Sequence, residues 1–126
     1  MRPALEVPIE NLAGAIASLP FADRLEVCDD LSTEGWTPAP DLVREVRGAM
    51  NAAGRPGARL VAMIRPRVPG AVVAPVLEAF LASPAVVDAC HREIEAMAQA
   101  GAHDVAIGLL RPDASIDLEA LSLIHI

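Results

Sequence analysis

Two glutamates near the start of the chain lie in short apolar segments that are typical of buried strands. Residues 4–8 and 24–28 both carry Leu-Glu-Val, with Glu6 and Glu26 at the centre. Because side chains alternate across a strand, Glu26 shares a face with Cys28, and Glu6 lies on the equivalent face of its own strand. A carboxylate in such a setting can act as a general base, so both are candidate catalytic residues. The alternative is a structural network, in which each glutamate pairs with an arginine inside the fold.

A second feature is the sequence Arg65-Pro66-Arg67, which follows a long apolar segment. Proline excludes helix and keeps this stretch extended, while two guanidinium groups offer paired donors to a phosphate or a carboxylate. We therefore predict that Arg65 and Arg67 bind a small anionic ligand. The alternative is an ordinary surface turn.

Cys28 ends the second strand-like segment, at the position where parallel sheets gather functional side chains. A thiol at this position is a candidate ligand for a soft metal ion. The alternative is a buried cysteine that fills space as a small hydrophobe. The only other cysteine, Cys90, lies far away and without CxxC spacing. This pattern favours reduced thiols and a cytoplasmic location.

The elements that position these residues alternate between strand and helix, which predicts an α/β fold. We predict four parallel strands in sequential order, with helices on one face and an apolar concave face opposite. The predicted strands are Leu5–Val7, Arg24–Val27, Leu60–Ile64 and Val105–Ile107. The predicted helices follow a cap at Asn11, span 41–51, run from a cap at Ser83 to a stop at Gly101, and begin again at Ile116.

Composition excludes several functions for this chain. It carries 17 acidic residues against 10 basic ones, all of them arginine, and its net charge of −7 repels nucleic acid and anionic membranes. Aromatic residues make up only 2% of the chain, so stacking platforms for bases are not expected. The most apolar stretch is interrupted by proline and glutamate, which argues against a membrane span.

The same motifs identify a family, because their order along the chain resembles that of CutC-type copper homeostasis proteins. The matching segments are Leu5–Val7, Ala22–Cys28, Glu34–Pro38, Met63–Arg67, Ala100–Ala102 and Gly108–Asp113. The resemblance implies a TIM-type (β/α)8 barrel of roughly 200 residues or more. It also implies a cytosolic protein that handles copper through cysteines near the ends of the first two strands. On this resemblance, residues 1–120 correspond to the amino-terminal half of such a barrel.

This sequence departs from the family pattern at three places. Pro8 stands where the family has a cysteine, which leaves Cys28 as the matching thiol and weakens a Cu(I) site, since Cu(I) prefers sulfur ligands. The segment 68–78 differs from the family's Gly-Gly-Asp-Phe, so we expect a remodelled loop. Residues 121–126 read like a translated transposase sequencing adapter, so we expect a non-native tail and exclude His125 from metal binding.

Three hypotheses follow, and the residues leave open whether the protein is an enzyme. The first is a fragment of a copper homeostasis protein that binds the metal through Cys28. The second is a TIM-barrel enzyme for a small anionic substrate, with Glu6 or Glu26 as base and Arg65 and Arg67 as anion clamp. The third is a scaffold that has lost its site. The open edges of a half-barrel also predict self-association into a homo-oligomer.

Overall fold

The fold of the chain is described from a computed structural model, which covers residues 1–68 and 82–124. Most of the predicted remodelled loop and the last two residues of the predicted tail lie outside these ranges. The elements in chain order are β1 (Glu6–Ile9), α1 (Leu12–Ser18), β2 (Arg24–Val27), a 3-10 turn (Leu31–Thr33), α2 (Pro40–Ala52), β3 (Arg59–Ile64), α3 (Pro84–Ala100), β4 (Asp104–Ile107) and α4 (Leu118–Ser122).

The four strands form one parallel sheet in the order β1-β2-β3-β4, which confirms the predicted topology. Glu6 is in register with Arg24, and Arg24 is in register with Arg59. Val61 of β3 is then paired with Asp104 of β4. This register places the charged positions of neighbouring strands on one face of the sheet.

The helices cover the other face of the sheet and bury the core between them. The strands contribute Ile9, Leu25, Val27, Leu60, Ala62 and Ile64, while the helices contribute Ala15, Val43, Val46, Met50, Val86, Cys90, Ile94 and Met97. Apolar surface removed from water in this layer is the main favourable term that holds the sheet and helices together. None of the helices within residues 1–68 and 82–124 has the length and apolar character that a membrane crossing requires.

Capping side chains set the ends of the helices. Asn11 Oδ1 accepts a hydrogen bond from the amide of Gly14 at 2.7 Å, and Ser83 caps α3, as the sequence predicted. Gly101 ends α3 with a left-handed φ of 110°. The predicted fourth helix is present, but it begins at Leu118 instead of Ile116, because the carboxylate of Asp117 caps it and Ile116 forms an isolated antiparallel bridge with Leu110.

The prediction of an apolar concave face is confirmed only in part, because Val61 and Met63 lie on that face together with charged side chains. The face opposite the helices carries Glu6 on β1, Arg24 and Glu26 on β2, Arg59 on β3 and Asp104 on β4. Most of the apolar side chains of these strands are at alternate positions, which face the helices. The residues between them are therefore free to be charged.

Candidate functional site

Glu6 and Glu26 are brought together on the concave face. The carboxyl of Glu6 lies within hydrogen-bonding reach of Glu26, and Arg24 Nε donates to Glu6 Oε2 at 2.6 Å. Burial, the hydrogen bond to Glu6 and the charge of Glu6 raise the pKa of Glu26 above its ordinary value. The arrangement thus couples one carboxylate paired with an arginine to a second one that retains its proton more readily.

A raised pKa keeps the Glu26 carboxyl protonated to a higher pH than usual, and such a proton is what the predicted acid–base role would use. The structure also agrees with the alternative of a structural network, because Glu6 forms an ion pair with Arg24. A second ion pair continues along the same face, where Arg59 donates to both carboxylate oxygens of Asp104 at 2.6 and 2.9 Å. The sequence analysis did not identify Arg24, Arg59 or Asp104 as members of these ion pairs. Arg24 stands two positions before Glu26 and therefore lies on the same face of the strand.

Cys28 follows β2 at its carboxyl end and is fully buried. Its thiol donates to the carbonyl of Ile9 at 3.6 Å, and it forms no disulfide. Burial and the negative charges of Glu26, Glu10 and Asp29 raise the pKa of the Cys28 thiol to about 11. Near neutral pH the cysteine is therefore an uncharged thiol, and it becomes a thiolate only when a cation compensates the charge.

Gly35 and Met63 complete the surroundings of Cys28. A side-chain carbon placed on Gly35 would lie 3.1 Å from Cys28 Cβ, 3.4 Å from Cys28 Sγ and 3.7 Å from Met63 Cε. Met63 lies on β3 next to Ala62, which is in register with Val27, so Met63 is the cross-strand neighbour of Cys28. The Cys28 thiol and the terminal methyl group of Met63 thus lie beneath the same glycine. Sequence reasoning missed Met63, whose place beside Cys28 follows only from the register.

Arg65 directs its side chain to the segment that follows Cys28. Its Nη1 donates to the carbonyls of Thr33 at 2.8 Å and Gly35 at 3.1 Å, and its guanidinium lies 4.2 Å from the centre of the Trp36 ring. The amide of Arg65 donates to Thr37 Oγ1 at 2.8 Å. Arg65 therefore connects the exit of β3 to the loop after β2.

Arg67 reaches the same indole. Its guanidinium lies 4.9 Å from the centre of the Trp36 ring, and its Nη2 donates to Asp29 Oδ2 at 2.9 Å. The two arginines predicted to bind an anion thus contact one tryptophan, and both donate to oxygens of the loop after β2. An anion would compete with Asp29 for Arg67.

The structure sorts the predicted residues into two neighbouring groups. Glu6 and Glu26 lie on the concave face, while Arg65 and Arg67 lie beyond the carboxyl ends of the strands, with Cys28 between the two groups. Among residues 1–68 and 82–124, no three His, Cys, Asp or Glu side chains come together in a group that could hold a metal ion. The sulfur-bearing side chains that lie beneath Gly35 are Cys28 and Met63, and thiols and thioethers are ligands that soft metal ions prefer.

Comparisons with known proteins agree on one family. The family model described as "CutC family" matches residues 4–126. The chain is 34% identical over 119 residues to a CutC family protein of Sinorhizobium medicae, covering 94% of this chain and 42% of the relative. It is 30% identical over 125 residues to a CutC family protein of Vibrio atlanticus, covering 98% and 44%. The chain thus spans about two fifths of the length of these relatives.

A solved structure gives the same result for the fold. The crystal structure of CutC from Streptococcus agalactiae, a protein named for copper homeostasis, matches with a TM-score of 0.74 at 22% identity. The match covers 98% of this chain and 53% of that one. The likeness confirms the predicted α/β fold of the TIM-barrel type, of which this chain forms four strands.

Proposed function

The chain belongs to the CutC family, and on that premise we propose that it binds copper(I) through Cys28 as part of copper homeostasis in the cytoplasm. The observation that carries the proposal is the packing of Cys28 Sγ and Met63 beneath Gly35. It supplies two sulfur donors from neighbouring strands, at the carboxyl ends where parallel α/β folds bind ligands.

The charges around Cys28 favour a cation over a free thiolate. Glu26, Glu10 and Asp29 disfavour the deprotonated thiol when no cation is present. Copper(I) would supply a positive charge and a soft partner for sulfur, so the carboxylates that oppose a bare thiolate would then stabilise the complex. Met63 compensates in part for Pro8, which carries no thiol at the position where a second cysteine is expected.

The cytoplasmic location is supported by the state of the two cysteines. Cys28 and Cys90 are both buried and free, as is usual in a reducing compartment. Such a compartment also keeps copper in the monovalent form that thiolates bind.

The test is a Cu(I) competition titration of the chain against a colorimetric chelator under reducing conditions. Cys90 provides a matched control, because it is also a buried free thiol whose pKa is raised to about 11. We expect Cys28→Ser to weaken Cu(I) binding by more than about tenfold. Even the loss of a residue that only hydrogen-bonds to a metal ligand lowers metal affinity by about that factor. Cys90→Ser should leave the affinity unchanged, and Met63→Leu should fall between the two. Equal affinities for all variants would refute the proposal.

A second candidate function is an enzyme for a small anionic substrate, with Glu26 as general base or acid and Arg65 and Arg67 as the anion clamp. The observation that favours it is the Glu6–Glu26 pair, in which burial and the neighbouring Glu6 raise the pKa of Glu26 above its ordinary value. Inorganic phosphate is the probe, and the fluorescence of Trp36, which both arginines contact, is the readout. A saturable change that Arg67→Met abolishes would support this function. A chain that binds neither copper nor phosphate would be a scaffold without a site.

A further inference from the structure

The loop from Asp29 to Thr37 leaves β2 directly after Cys28 and folds back over it. Asp29 and Trp36 form an antiparallel bridge in which each amide donates to the other's carbonyl, at 2.9 and 2.8 Å. Asp30 and Glu34 adopt left-handed backbone angles, with φ of 51° and 67°. L residues rarely adopt this conformation, so contacts elsewhere must hold the loop in its present form.

The loop is the cover of Cys28. Gly35 has a φ of 88° and approaches so closely that an added side-chain carbon would meet Cys28 Cβ at 3.1 Å and Sγ at 3.4 Å. The cysteine is 0% exposed. A reagent or a metal ion reaches the thiol only when this part of the structure opens locally.

Arg65 holds the part of the loop that covers Cys28, through Gly35. The beginning of the loop is held by two other side chains, because Glu10 accepts a hydrogen bond from the amide of Leu31 and Arg67 donates to Asp29. The Arg65 guanidinium donates to two loop carbonyls, those of Thr33 and Gly35, and lies over the Trp36 ring. Hydrogen bonds from a charged donor are among the stronger contacts in proteins, and stacking on the indole adds to them. The end of the loop is anchored separately, because Thr37 accepts from the amide of Arg65 and donates to Glu93.

We propose that the loop 29–37 is a lid over Cys28 and that the Arg65 side chain keeps it closed. Because Arg65 belongs to the exit of β3, movement of its guanidinium away from the loop releases the carbonyls of Thr33 and Gly35 together and leaves the Trp36 ring in contact with Arg67. The lid itself follows from the contacts of Arg65 and Gly35, whereas its role in admitting copper rests on the proposed function.

The first test measures the alkylation rate of each cysteine with iodoacetamide by mass spectrometry, in the absence of copper. We expect Arg65→Met, which keeps the apolar stem and removes the donors, to speed alkylation of Cys28 by about tenfold or more, given the usual strength of hydrogen bonds from charged groups. Cys90, which is also 0% exposed, belongs to α3 and to the core under the helices, so it reports global unfolding in the same sample. Its rate should not change.

A second pair of variants tests the cover without touching Arg65. Gly35→Ala introduces a carbon against Cys28, whereas Gly54→Ala places one at a similar left-handed φ of 63° with nothing within 4 Å. Both substitutions strain the backbone, but only the first displaces the lid. We expect faster alkylation of Cys28 in Gly35→Ala than in Gly54→Ala, with Cys90 protected in both.

The outcomes separate the lid from the copper site. An unchanged Cys28 rate in Arg65→Met, or equal acceleration of both cysteines, would overturn the lid. Selective acceleration of Cys28 supports the lid even if the titration detects no copper binding. In that case the proposed function fails and the lid remains.

Discussion

The two faces of the sheet differ in what they contribute to the molecule. On the face under the helices, Leu25 and Leu60 are fully buried among aliphatic side chains. On the concave face, Glu26 and Arg59 stand next to them along the same strands and carry charge. Adjacent residues of one strand therefore have different roles, because alternation places their side chains on opposite faces of the sheet. One face holds the fold together, while the other is free to carry chemistry.

The strongest test of this contrast is a truncation in the helix-covered face. Leu60→Ala removes a fully buried side chain from the centre of the core. We expect it to lower the free energy of unfolding by about 2–5 kcal/mol, as is usual for such substitutions. Urea denaturation followed by circular dichroism measures the change. A loss below about 1 kcal/mol would mean that the core tolerates the cavity and that this face does not carry the fold.

The helix-covered face is also the part of the molecule that could be predicted from the sequence. The apolar run that contains Leu60 and the caps at Asn11 and Ser83 are local signals, and the structure confirms the elements that they predict. Strand order followed from the regular alternation of strands and helices, since successive βαβ units place neighbouring strands side by side.

The contacts of the candidate site could not be predicted in the same way. The position of Met63 beside Cys28 depends on the register between strands, and the approach of Gly35 depends on how a loop folds back. The partner of Glu6 is Arg24, eighteen positions away. The residue types and strand ends indicated candidate residues, but the pairings arise only from tertiary structure.

A second prediction concerns the cost of the charge on the concave face. Glu26→Gln removes one of two neighbouring carboxylates, and like charges on adjacent strands destabilise by about 0.2–1 kcal/mol. We therefore expect this variant to be more stable than the wild type by that amount at pH 7 in urea denaturation. Because the pKa of Glu26 is raised in the folded state, the native protein binds the proton more tightly than the unfolded chain does. The wild type therefore loses stability as pH rises above 4.5, the ordinary pKa of a glutamate. The stability advantage of Glu26→Gln over the wild type should vanish at pH 4 or below.

The matched control is Glu6→Gln, which removes the other carboxylate together with the ion pair to Arg24. Its stability should not increase, since it leaves Arg24 without the carboxylate it binds at 2.6 Å. If Glu26→Gln were destabilising at pH 7, the Glu26 carboxylate would belong to the structural network of paired glutamates and arginines and would not be a candidate catalytic group. Stability gained by removing Glu26 would instead be typical of a functional residue.

The smallest effect is expected at the amino end of the concave face, where Arg59 binds Asp104 through two hydrogen bonds. Their side chains are 52% and 41% exposed, so solvent screens much of the attraction. The hydrogen bond from Arg59 lowers the pKa of Asp104, so the stabilisation is present above pH 3.8 and is lost as pH falls through the lowered pKa.

Asp104→Asn should therefore be slightly less stable than the wild type at pH 7 in low salt. In 1 M sodium chloride the screening length falls to about 3 Å and the two proteins should unfold at the same urea concentration. A difference that persists in high salt would mean that Asp104 acts through packing or buried hydrogen bonds, and the concave face would then share the structural role of the helix-covered face.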